Sequence, residues 1–330
     1  MRLILRLYIL YLVLISCNDN NDDSVKSKCP PYDIIPQSPY NDPIWHPSGD
    51  IIGFNHTPIT EIQYPNGYDC PHQAVYKYDN DSSGFWLINS DGTNQRRILP
   101  HTLTTPAWSP DGKWIAFSKG AQICIMPFNG IQFDTTAIIQ LTSEGRNFFP
   151  AWSPDGKWLA YDSDQNSSTG LKFIWKMKNN GLSKRRIAFT PNDGETRMPW
   201  WGEDFSIVHQ RYIGKGSPEI FKMDSAGNNV VRLTENNIIE MFPRYSPTNQ
   251  FISYISYSGI ELWIIDFAAN ISTPLTNGGC LSYSWSPEGK IVYLNFDYSR
   301  IDETKGTLWT MDSDGNNKCQ LTYNSFQTVK

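Results

Sequence analysis

The chain is 330 residues long, 14% aromatic, and acidic on balance, with a formal net charge of −5. Its basic residues are scattered in short groupings such as Arg96-Arg97 and Arg185-Arg186, so no basic stripe exists and a nucleic-acid partner is excluded. The length would suit two ordinary domains or one closed array of repeats.

Residues 1–16 are a targeting segment and stand outside the fold. Arg2 and Arg6 give a basic start, Leu3–Ile15 is almost wholly apolar, and the stretch ends in Leu14-Ile15-Ser16-Cys17. That run is short for a bilayer span. It resembles a bacterial lipoprotein signal, which implies that Cys17 is lipidated and anchors the mature chain. Residues 17–32 follow as a polar acidic tether opening with Asn18-Asp19-Asn20-Asn21-Asp22-Asp23, which cannot collapse into a core. The acidic run is similar to an export signal of surface lipoproteins. The expected location is the bacterial outer membrane, with the chain facing the periplasm or the cell surface.

From residue 33 to 330 one phrase recurs. Trp-Ser-Pro-Asp-Gly-Lys stands at Trp108–Lys113 and at Trp152–Lys157, with variants at Trp45-His46-Pro47, Trp201-Gly202-Glu203-Asp204, Tyr245-Ser246-Pro247 and Trp285-Ser286-Pro287. A period of roughly forty to fifty residues with strand-and-turn composition marks a β-propeller. Six copies predict an all-β, six-bladed propeller of four-stranded antiparallel blades, with blades starting near residues 43, 106, 150, 199, 243 and 283. One step is longer, which predicts an insertion at about residues 55–83 of the first blade.

Within the second repeat, residues 106–108 read as the first strand, 114–117 as the second, 122–126 as the third and 137–142 as the outermost. Pro110 presets φ for the connecting turn and Gly112 supplies its left-handed residue. Aligning the repeats gives three columns. Phe54, Phe117, Tyr161, His209, Tyr254 and Tyr293 share a second-strand position. Trp86, Cys124, Trp175, Phe221, Trp263 and Trp309 share a third-strand position. Ile98, Leu141, Ile187, Leu233, Leu275 and Leu321 mark the fourth strand. These columns are the expected inter-blade core, since a blade buries its faces only against its neighbours. His209 is accordingly expected as a packed core histidine and Cys124 as a buried, inert thiol.

The Asp-x-Gly turns at Asp91-Gly92, Asp224–Gly227 and Asp312–Gly315 lack the closing glutamate of a calcium loop and read as hairpin turns. In a four-stranded meander these turns and the Pro-Asp-Gly turns share one face. The opposite face holds the irregular links and the insertion, where binding on a rigid scaffold usually lives. Equivalent link positions carry His101, Arg146, Asn147, Glu195, Arg197 and Glu240, a candidate rim for a polar ligand or a partner protein. Cys70-Pro71-His72 lacks a zinc spacing, and no metal or other cofactor is expected. With Cys124 set aside, Cys29, Cys70, Cys280 and Cys319 allow three disulfide pairings, of which Cys29–Cys70 is favoured because both flank the first blade. No Gly-x-Ser-x-Gly elbow or triad spacing is present.

The phrase Pro-x-Trp-Ser-Pro-Asp-Gly-Lys-x-Ile-Ala-Phe, followed by Ile-Trp-x-Met and Leu-Thr, resembles the WD40-like repeats of the TolB family. Residues 106–117, 150–161 and 174–177 carry it, with Leu141-Thr142, Leu233-Thr234 and Leu321-Thr322 as endings. The resemblance covers about residues 40–323 and implies a six-bladed propeller in the cell envelope that binds other proteins; with no catalytic constellation among the residues, a non-enzymatic role is expected. The expected organisation lacks the α/β domain that precedes the propeller in TolB. Related propellers also serve as oligogalacturonate lyases, so a glycan-binding or glycan-cleaving propeller is the alternative. That activity implies a metal-binding histidine cluster, whereas His46, His56, His72, His101 and His209 fall in no shared column.

Overall fold

A computed structural model describes residues 38–63, 75–188, 194–214, 216–267, 271–296, 306–325 and 327–329. Six four-stranded antiparallel sheets follow one another along the chain as the blades of a propeller. Blade 1 comprises Tyr40–Trp45, Ile51–His56, Gly84–Asn89 and Arg96–Leu99; blade 2 comprises Thr104–Trp108, Trp114–Lys119, Gln122–Pro127 and Ile139–Gln140. Blade 3 is built from Asn147–Trp152, Trp158–Ser163, Phe173–Lys178 and Arg185–Arg186, and blade 4 from Thr196–Trp201, Ile207–Arg211, Glu219–Met223 and Val231–Arg232. Blade 5 holds Glu240–Tyr245, Phe251–Ser256, Glu261–Asp266 and Ile271–Pro274; blade 6 holds Cys280–Trp285, Ile291–Asn295, Thr307–Met311 and Cys319–Gln320. Among the described residues no helix is long and apolar enough to cross a membrane.

The two aromatic columns read from the repeats are cross-strand partners in every blade. Phe54 faces Trp86, Phe117 faces Cys124, Tyr161 faces Trp175, His209 faces Phe221, Tyr254 faces Trp263 and Tyr293 faces Trp309. Such pairs sit close enough to stabilise a sheet by their mutual packing. They then pack on the next blade: Ile123 and Ile125 of blade 2 join Leu159, Tyr161, Trp175 and Met177 of blade 3 in one cluster. His209 is buried and stacks on Phe221, and Cys124 is a buried free thiol. Both are core residues, as their columns predict.

The Trp-Ser-Pro-Asp-Gly-Lys turn closes on itself. Ser109 Oγ donates to Asp111 Oδ1 (2.6 Å), which also accepts from Lys113 N, while Trp114 N donates to Ser109 Oγ. The same bonds recur through Ser153, Asp155 and Lys157. Gly112 and Gly156 both sit at φ +68°, the left-handed region that glycine enters without steric cost. The Leu-Thr ending has an equally definite role. Thr142, Thr234, Thr276 and Thr322 each accept, through the hydroxyl, the amide N–H of a third-strand residue: Ile123, Ile220, Leu262 and Leu308. Blade 3 lacks this threonine, and Thr196 of blade 4 supplies the acceptor to Ile174 N instead.

Among the described residues no strand is exchanged to close the ring. Tyr40, Trp45, Ile52 and Phe54 of blade 1 pack with Val292, Leu294 and Leu308 of blade 6. Hydrogen bonds from Trp45 N to Ser284 Oγ and from Tyr40 Oη to the Tyr323 carbonyl cross the same seam. The insertion in blade 1 is partly a sheet of its own: Ile59–Gln63 runs antiparallel to Val75–Tyr78 and parallel to the C-terminal strand Gln327–Val329. The chain end is thereby clasped to the first blade.

Candidate functional site

The first strand of each blade lines the central axis, and all six carry the same irregularity. Pairing to the second strand slips between Asn41 and Ile44, Thr104 and Ala107, Phe148 and Ala151, Arg197 and Trp200, Met241 and Arg244, and Cys280 and Tyr283. Each slip is a β-bulge, which bends a strand and re-aims its side chains. In five blades the bulge is a residue followed by proline. Asp42, Thr105, Phe149, Met198 and Phe242 sit at φ between +50° and +55°. Left-handed backbone is unfavourable for such side chains by about 1–2 kcal/mol each, and proline at the next position has no N–H for the ladder to lose.

The bulges surround a narrow axial cavity lined by Asp42, Thr105, Phe149, Met198, Phe242 and Ser282, with Trp200, Arg244 and Tyr283 among its other walls. Phe149 of blade 3 and Phe242 of blade 5 meet at 5.8 Å between ring centroids. The space open to water is about 80 Å³. At roughly 10–15 Å³ per water-sized sphere, that holds about half a dozen small groups and no sugar ring or folded loop. Asp42 accepts a hydrogen bond from Asn55 Nδ2 (3.0 Å), and burial pushes its carboxyl above the usual range. Asn55 also donates to the Leu103 carbonyl (2.7 Å) and accepts from Leu103 N (2.8 Å), fastening blade 1 to the start of blade 2. Gln210 fastens blade 4 to blade 5 by donating to the Glu240 carbonyl (2.7 Å).

Around this cavity the six candidate rim residues divide. His101 and Arg146 are exposed, and Arg146 pairs with Asp164 at 2.5 Å. Glu195 is half-buried and accepts from Lys172 N. Arg197 lies inward of it, 3.5 Å from the fully buried carboxylate of Asp162, which Lys172 approaches at 3.4 Å from the other side. Burial lowers the Lys172 ammonium, partly offset by Asp162. Asn147 and Glu240 are wholly buried, so neither forms part of a solvated rim. Asn147 Nδ2 donates to the Glu144 carbonyl and to Gln122 Oε1. Glu240 accepts from Thr234 Oγ1 and from Asn236 Nδ2. Its carboxyl is raised by burial and then by Glu219. Both side chains turn back into the preceding blade because the first residue of each inner strand is where neighbouring blades are stitched together.

The described histidines do not converge. His46 contacts the Gly112 carbonyl on the turn face, His56 stacks on Tyr40, His209 is in the core of blade 4 and His101 is on a link. Among the described residues no group of three or more His, Cys, Asp or Glu side chains is placed to hold a metal ion. The Asp224 carboxylate accepts from Ala226 N and Asn228 N within its own turn. Cys17, Cys29, Cys70 and His72 lie outside the described residues.

Residues 74–330 match the family described as TolB beta propeller domain. A curated TolB homolog from Chlorobaculum tepidum is 28% identical over 110 residues, which are 32% of this chain and 24% of that protein. The match therefore spans about a quarter of that relative's length. The crystal structure of TolB from Acinetobacter baumannii aligns with a TM-score of 0.60 at 23% identity, covering 74% of this chain and 60% of the other. An oligogalacturonate lyase from Vibrio parahaemolyticus aligns at 0.51 and 10% identity, over 87% and 85% of the two chains. At these identities the solved structures share the fold alone.

Proposed function

Since the chain belongs to the TolB beta propeller family, we propose that it is a non-enzymatic scaffold of the cell envelope. Its irregular face, around the axial cavity, receives a protein or peptide partner. One observation carries this reading: the turn face repeats one self-closing hairpin, whereas the opposite face differs from blade to blade. On the turn face the Ser, Asp and backbone groups satisfy one another within each hairpin. The opposite face presents His101 and Arg146 to solvent, beside the half-buried Glu195 and Arg197. Variable loops on a rigid frame are the usual seat of recognition. The glycan reading gains no matching support, because the Trp and Tyr columns are taken up by packing between blades.

The test is a cross-linking pull-down from solubilised envelopes with Arg146→Glu combined with Glu195→Lys, against Lys113→Glu on the turn face. Loss of one discrete partner with the first pair and its retention with the second is expected. Equal recovery from both variants would overturn the assignment of the face. The lipid anchor is part of the same proposal: Cys17→Ser is expected to move the chain from the membrane to the soluble fraction, and continued membrane attachment would refute it.

A further inference from the structure

The inner strand of blade 5 places a guanidinium in the axial cavity without an acceptor. The Arg244 guanidinium makes no hydrogen bond or salt bridge with any described residue, and its Nη1 is completely covered; only the main-chain carbonyl is engaged, accepting from Ser253 Oγ. It packs between the Trp200 ring, 4.5 Å from the ring centroid, and the Tyr283 ring, at 5.3 Å. Cation–π contact is a partial substitute for water, but it leaves the in-plane N–H donors unmet. An arginine is always charged, and a buried charge without a hydrogen-bonded counter-charge is costly. The acidic group in the same cavity, Asp42, accepts from Asn55 and attracts Arg244 through space without a hydrogen bond between them. Two other cations near the axis have a carboxylate within salt-bridge distance: Lys172 and Arg197 both reach Asp162. Arg244 has only the longer-range attraction of Asp42.

We propose that Arg244 is the anchor of a carboxylate-binding site in the axis of the propeller. The guanidinium fork matches a carboxylate in two parallel N–H···O bonds. The Trp200 and Tyr283 rings cover its flanks and leave the edge as the approach. Thr105 and Ser282 line the same cavity, and the Ser282 hydroxyl, which has no partner, can bind the ligand's second oxygen or a bridging water. The open volume admits a carboxylate with a few attached carbons, which fits either the tip of an acidic side chain reaching down the axis or a short free acid. This site stands whether or not the irregular face is the partner-binding face.

Calorimetry separates the sources. The probes are N-acetyl-Gly-Asp-Gly-amide, its Asn counterpart, succinate and inorganic phosphate, each titrated into the propeller and into Arg244→Gln. Saturable binding of the Asp peptide, at least tenfold tighter than the Asn peptide and lost in Arg244→Gln, would identify a peptide carboxylate. Binding of succinate with the peptides silent would identify a free acid. Phosphate binding as tightly as either carboxylate would overturn the assigned chemistry, and silence of all four probes on the unaltered chain would overturn the site. The Asp-against-Asn comparison is made on the unaltered protein and does not depend on how the variant folds.

Discussion

His209 makes the core of blade 4 sensitive to acid, and the size of the effect follows from its surroundings. Five blades place Phe or Tyr at this position; blade 4 places an imidazole that is 1% exposed. Its Nδ1 contacts the Gln210 carbonyl at 3.2 Å and its Nε2 has no partner. Burial lowers its pKa to about 4, from an ordinary value of 6.5. The folded state therefore binds fewer protons than the unfolded chain between those values. Stability is intact above pH 6.5 and falls as the pH drops toward 4. Between pH 7.5 and 4.5 the loss from this residue is about 2.5 kcal/mol, an order-of-magnitude figure from 1.36 kcal/mol per pKa unit. The perturbation is His209→Phe, which restores the column and leaves His56, the other deeply buried histidine, in place. Urea unfolding at pH 7.5 and pH 4.5 should show the original chain losing about 2–3 kcal/mol more than the variant over that interval. At pH 7.5 the variant should be equal or more stable, since an unpaired buried nitrogen is removed. Identical pH dependence in both proteins would refute the burial argument.

Three further outcomes are expected. Asn55→Ala strands the Leu103 N–H and carbonyl and a donor to Asp42, and should cost about 3–4 kcal/mol in the same unfolding assay. Thr276→Val removes one acceptor for Leu262 N and should cost about 1 kcal/mol, whereas Thr234→Val also deprives Glu240 of a donor and should cost about twice that. Among the described cysteines, Cys319 is exposed while Cys124 and Cys280 are buried with thiol pKa values raised by burial. A thiol reagent followed by peptide mass spectrometry should label Cys319 in the native protein and the other two only in denaturant.

The parts of this fold legible in the sequence are those imposed on every blade alike. Six copies of a turn phrase gave the blade number, and the second- and third-strand columns gave cross-strand partners residue by residue, because both record the same packing problem solved six times. The Asn147 and Glu240 assignments failed for a related reason. A polar residue on a link reads as solvated, but the first residue of each inner strand bonds to the previous blade; Glu240 N donates to the Pro218 carbonyl just as Asn147 N donates to that of Ala121. The axial bulges had a visible signal, the proline two residues before the strand-ending aromatic in Pro43, Pro106, Pro150, Pro199 and Pro243. Proline at that position reads as the start of a strand, and only the register shows that the strand continues through it. The C-terminal clasp had no signal of its own, since a three-residue parallel pairing carries no periodicity.

The bulges also account for how a sixfold scaffold acquires an asymmetric centre. A residue in the aromatic columns is held by neighbours on both sides, so its chemistry is nearly fixed in every blade. The bulge residue, which precedes a proline in five blades, faces the cavity instead, where there is no opposing blade to satisfy. At that position the repeats diverge freely. Blades 3, 4 and 5 contribute Phe149, Met198 and Phe242, while blades 6, 1 and 2 contribute Ser282, Asp42 and Thr105. One half of the ring is thus apolar and the other polar, with Arg244 one step further along the apolar side. The backbone strain at five of these positions is tolerated because ladder bonds above and below each bulge fix its geometry. A ligand on the axis must therefore present an apolar flank and a polar flank at once, and the residues that choose it are those where the repeat is least repeated.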